Sequence, residues 1–162
     1  MILEQQVSLA SAAAAYGRLE EALGTITPVA FSQLSDSRLR AIGFSRQKTG
    51  YCRTLASEVQ LGSVDLEGLA ALPDDDARLR LTALRGVGPW TAECYLLFAL
   101  RRADAWPSGD RALQVSLGRA LHMDGSPSAE EANAHAERWR PWRSVAARIL
   151  WQDYLAKRAA PA

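Results

Sequence analysis

The sequence has little lysine, little cysteine and no long apolar run. Lys48 and Lys157 are its only lysines among 19 basic residues, and the acidic residues number 18. The formal net charge is therefore +1, and charge balance alone does not mark a nucleic-acid binder. The two cysteines, Cys52 and Cys94, lie far apart. With no CxxC pair they exclude a cysteine-built zinc site or an iron–sulfur cluster. No stretch approaches the roughly 18 apolar residues of a membrane span, so no membrane partner is expected. Met1 leads straight into Ile2-Leu3-Glu4-Gln5-Gln6 with no signal-peptide pattern. A reducing, cytoplasmic compartment is the expectation. No run alternates β-branched and polar residues, which argues against a sheet.

What is present is helical periodicity, with 48% hydrophobic residues over 162 positions. That composition suits one folded domain with a core, taken as residues 1–162. The first helix is predicted over 3–23, closed by Gly24. Thr27-Pro28 reads as an N-cap with proline at the first helical position, opening a helix to about Leu34. Ser35 opens another that ends at Gly43, and Ser45 opens a longer one over about 46–60. A short helix from Asp65 to about Ala71 is closed by Pro73. Helices over 74–84, 90–102 and 110–121 follow. Ser128 to Glu131 is a capping box for a helix at 129–139. Pro141 is expected to open the last helix, to about 158. The fold class predicted is all-α, a compact multi-helix domain. Trp106, Trp139 and Trp142 are read as core.

The most informative string is Leu84-Arg85-Gly86-Val87-Gly88-Pro89-Trp90-Thr91-Ala92. Two glycines around one apolar residue allow a tight turn at positive φ, with Val87 tucked between two helices. Gly88 and Pro89 bring the backbone to a helix N-terminus, whose free N–H groups bind an anion such as a phosphate. A GxG by itself is an ordinary helix–turn–helix connection; the whole string is more specific. Downstream, Asp104-Ala-Trp-Pro107-Ser-Gly109-Asp110 forms a loop that ends at a predicted helix start. There the macrodipole stabilises a carboxylate. An Asp at such a place is commonly just an N-cap.

Together these strings resemble the helix-hairpin-helix base-excision DNA glycosylases, with the hairpin at about 79–102 and the catalytic loop at about 104–114. The stretch Trp139-Arg-Pro141-Trp142-Arg143-Ser144 with Ile149-Leu-Trp151 resembles the DNA-3-methyladenine glycosylase II branch. Leu3-Glu4-Gln5-Gln6 resembles the family's first helix region. The resemblance implies an enzyme of base excision repair that binds double-stranded DNA, flips a damaged base out of the stack and hydrolyses its N-glycosidic bond. It implies Asp110 as the catalytic carboxylate, beside an oxocarbenium-like sugar. It implies a base pocket of Trp90, Trp151, Cys94, Tyr95 and Arg111, whose indole faces attract a cationic alkylpurine. Cys94 and Arg111 stand where relatives carry aromatic residues. The implied phosphate-binding hairpin is Arg85, Gly86, Val87, Gly88, Pro89 and Thr91.

Gln6, with Gln5 beside it, matches the position that fills the gap left by the flipped base. The carbonyls of Thr82, Leu84 and Gly86 match those that hold a structural Na+ or K+ in the family; no other cofactor is implied. Bifunctional relatives place a Schiff-base lysine where Trp90 stands, so lyase activity is not expected. A nucleoid-associated monomer is implied. The resemblance begins abruptly at Ile2, short at the front compared with family members. Two alternatives stay open: a non-catalytic, truncated DNA-binding module, and a glycosylase for another damaged or mismatched base.

Overall fold

The computed structural model describes residues 1–159. Among them are nine α-helices, three 3₁₀ turns and no strand, the all-α class that the sequence predicts. No helix among the described residues is long and apolar enough to cross a membrane. The chain divides into two compact units. The first comprises Met1–Pro73 with Leu79–Val87, and the second Asp74–Arg78 with the chain from Gly88 onward.

The first unit carries α1 (Leu9–Leu23), α2 (Pro28–Gln33), α3 (Asp36–Ile42) and α4 (Arg46–Gln60). Each begins on a hydroxyl N-cap. Ser8, Thr27, Ser35 and Ser45 accept from the backbone N–H three residues on, satisfying donors that the helix leaves open. The core is Leu19, Phe31, Leu39, Ile42, Phe44 and Ala56, with Cys52 packed against it. Phe31 and Phe44 meet at 5.6 Å. Arg53 on α4 ties down the α2–α3 link, donating to Asp36 and to the carbonyls of Ser32 and Leu34.

α5 (Asp74–Thr82) leads out of the second unit's first segment, with Asp74, Asp75 and Asp76 in its first turn. The second unit continues with α6 (Pro89–Phe98), α7 (Arg111–Ala120), α8 (Ala129–Ala136) and α9 (Arg143–Ala159). Leu96 and Leu97 on α6 and Leu113 and Leu117 on α7 are fully buried, each worth about 1.5–3 kcal/mol of burial. Ser116 donates to Asp153, linking α7 to α9. Gly118 is fixed by space: a Cβ there would lie 2.3 Å from the Gly125 carbonyl oxygen.

Several boundaries differ from the sequence expectation. The predicted 3–23 helix is broken. Ile2–Glu4 is a 3₁₀ turn, Gln6 takes φ 56°, and α1 starts only after Ser8 caps Ser11 N–H. The 65–71 segment holds only the 3₁₀ turn Gly68–Ala71, because Asp65 satisfies Gly68 N–H from outside it. α6 stops at Phe98 rather than 102. Arg101 turns left-handed at φ 55° and Arg102 N–H bonds back to the Leu96 carbonyl. α8 ends at Ala136 and passes into the 3₁₀ turn Glu137–Trp139. Pro141 follows a cis peptide and stands two residues before α9 instead of opening it. Of the three tryptophans expected in the core, Trp106 is buried, Trp139 packs edge-on against it at 5.7 Å, and Trp142 is 62% exposed.

Candidate active site

The turn after α5 closes with Val87 N–H on the Leu84 carbonyl at 3.0 Å. Only one of its two glycines needs positive φ. Gly86 stands at φ 86°, whereas Gly88 is extended at φ −88°. Gly86 is also fixed sterically, since a Cβ there would lie 2.3 Å from Cδ2 of Tyr51. Gly88 brings no side chain to the first turn of α6, and Pro89 fills the first helical position, where a missing N–H costs nothing. Arg85 is exposed, Val87 is half-buried and Thr91 is buried. The turn Leu84–Val87 lies in the first unit and the chain from Gly88 in the second.

Gln5 and Gln6 separate in role. Gln5 is half-buried, and its Nε2 donates to the Gly86 carbonyl at 2.8 Å. Gln6 is exposed and left-handed, a conformation that costs a non-glycine residue energy. The Gln5 bond bears on the expected cation. Leu84 O already accepts from Val87 and Gly86 O from Gln5, so two of the three carbonyls face N–H donors. A carbonyl oxygen has two lone pairs, so each of these two keeps one that could face a monovalent ion.

In the second unit the 103–110 loop is pinned along its length. Ala105 N–H donates to Ser144 Oγ, and Trp106 N–H to Glu93. Glu93 also accepts from Arg78, and Trp106 Nε1 donates to Asn133. Asp104 accepts from Arg143 through Nε, Nη2 and the backbone N–H, and from Arg140. Burial pushes its carboxyl up, but these bonds and charges prevail and hold it below the usual carboxylate range. Asp104 is thus a structural ligand of the loop.

The pinned loop delivers Asp110, the N-cap of α7. Its Oδ1 accepts from Leu113 N–H at 3.0 Å and from Trp151 Nε1 at 3.1 Å, and its Oδ2 accepts from Trp90 Nε1 at 2.8 Å. So the two indoles expected as pocket faces are also hydrogen-bond donors to the carboxylate, which spacing alone does not reveal. The rest of the expected pocket divides. Tyr95 is half-buried, and burial raises its pKa. Arg111 is exposed at the first position of α7. Cys94 is 3% exposed within the core, so it offers no surface to a base. Phe98, which sequence reasoning passed over, stacks on Trp151 at 5.2 Å.

A glycine turn between two helices, with an aspartate capping a further helix under two indole N–H groups, defines a helix-hairpin-helix protein with a carboxylate site. A family model for HhH-GPD superfamily base excision DNA repair proteins matches residues 1–141, and the chain belongs to that family. A DNA-3-methyladenine glycosidase structure from Bacillus halodurans is 33% identical, with a TM-score of 0.78 over 94% of this chain and 71% of that one. The 3-methyladenine DNA glycosylase of Schizosaccharomyces pombe, solved with abasic DNA, is 26% identical, with a TM-score of 0.86 over 93% of this chain and 75% of that one. A Bacillus subtilis DNA-3-methyladenine glycosylase is 30% identical over 121 residues, 75% of this chain and 40% of that protein. The chain spans between about a third and three-fifths of the length of the curated relatives it matches.

Proposed function

We propose that this chain is a monofunctional DNA glycosylase that hydrolyses the N-glycosidic bond of alkylated purines in duplex DNA. The observation that carries the reading is the Asp110 carboxylate, fixed by Leu113, Trp90 and Trp151. Bond cleavage builds positive charge on the sugar, and a preorganised carboxylate stabilises that charge and orients the attacking water. Trp90 and Trp151 stand together at Asp110, and an electron-rich indole face attracts a cationic purine such as 3-methyladenine. The N-terminus of α6, which carries no side-chain cap, takes a DNA phosphate without a large charge excess, which reconciles DNA binding with +1. Gln6, exposed and strained, is the residue that fills the gap in the stack; Gln5 is held by Gly86. Relatives named as 3-methyladenine glycosylases support the lesion class, and one of them is solved on abasic DNA, the product of this chemistry.

The test is a panel of duplexes carrying 3-methyladenine, an oxidised base or a mismatch. The expected result is free alkylpurine and an intact strand that breaks only on alkali treatment. Release confined to oxidised or mismatched bases, or a nick without alkali, would overturn the reading.

A further inference from the structure

Phe98 is the last residue of α6 and is 46% exposed, so burial does not explain its place. Its ring stacks on Trp151 with 20° between the planes. The Arg148 guanidinium lies 5.0 Å from the centroid of the same ring. Arg148 is itself anchored, with Nη2 donating to the Leu97 carbonyl at 3.0 Å, where the end of α6 favours a cation. Arg148 and Trp151 are three residues apart on α9 and share a helix face.

We infer that Phe98 and Arg148 are positioning residues that fix the Trp151 indole so that its N–H stays on Asp110. The inference rests on reading Asp110 as the catalytic carboxylate. Of the three described donors to Asp110, Leu113 N–H is set by the helix that Asp110 caps, whereas Trp90 and Trp151 donate from side chains. Trp151 is half-buried and has free torsions, so its direction needs a lock. Aromatic stacking and a guanidinium against the ring supply one. A hydrogen bond weakens steeply with angle, so a turned indole would release one side of the carboxylate. Phe98 also covers part of Trp151, leaving a flipped base the remaining surface.

The test combines three measurements on Phe98→Ala, Phe98→Tyr and Arg148→Gln: solvent exchange of the Trp151 indole N–H by NMR, single-turnover base release, and affinity for abasic DNA. Phe98→Ala should speed indole exchange and slow base release about tenfold, the scale of a lost positioning contact. Its abasic-DNA affinity should stay within about twofold of wild type, because phosphate grip lies elsewhere. Phe98→Tyr should restore both properties, and Arg148→Gln should move both in the direction of Phe98→Ala. Unchanged indole exchange or an unchanged rate in Phe98→Ala would overturn the inference. If wild type releases no base, the glycosylase reading falls, and indole exchange alone decides the clamp.

Discussion

At the scale of residues, Gly86 and Gly88 look alike in the sequence and differ in the structure. Gly86→Ala adds a Cβ at φ 86° against the Tyr51 ring, and the expected loss is about 1–3 kcal/mol in denaturant unfolding. Gly88→Ala meets nothing within 4 Å, and its stability should stay within about 0.5 kcal/mol of wild type. Equal losses for the two would contradict the assignment of the strained position. Cys52 is similarly set by its surroundings. Burial against the first unit's core pushes its thiol up to about 11, so it should react with a disulfide reagent only after unfolding. Asp110, Trp90 and Trp151 stand out in the sequence because each falls on a recognisable string, and the structure brings the three together. Their mutual hydrogen bonds were not legible there, because a side chain's direction depends on packing that spacing does not encode.

At the scale of elements, the helix starts were the most legible feature, because a hydroxyl or carboxylate cap is a local device. Thr27, Ser35, Ser45 and Ser128 all cap as the sequence implies. Helix ends were less legible. α6 stops at Phe98 through a left-handed Arg101, and arginine carries no local signal for that conformation. The loop to Asp110 is held by Asp104, and its carboxyl is depressed mainly against burial by Arg143 and Arg140. A depressed carboxylate stabilises the fold above its unfolded pKa and loses that contribution as pH falls through its folded value. Asp104→Asn should therefore lower Tm at pH 7, with the gap to wild type closing as pH falls below about 4. A gap that widens on acidification would contradict the role. Leu113→Ala, within the same unit's core, should cost about 2–5 kcal/mol by denaturant unfolding.

At the scale of the whole molecule, the near absence of lysine bears on reaction type. Lys48 donates to the Leu3 carbonyl and Lys157 pairs with Asp153, and neither is among the described donors to Asp110. Cleavage through a Schiff base needs a free amine at the sugar. Borohydride should then trap no covalent adduct on abasic DNA, and a trapped adduct would contradict the monofunctional reading. The +1 balance is no obstacle to DNA when a helix end supplies the grip. Single-turnover base release from N-methylated duplex DNA measures whether the Asp110 carboxylate does the chemistry. Asn retains the capping ability of Asp, so Asp110→Asn should fold. It should release alkylpurine at least about a hundredfold more slowly than wild type, the cost of losing the charge that meets the sugar cation. Release at the wild-type rate by Asp110→Asn would contradict that role.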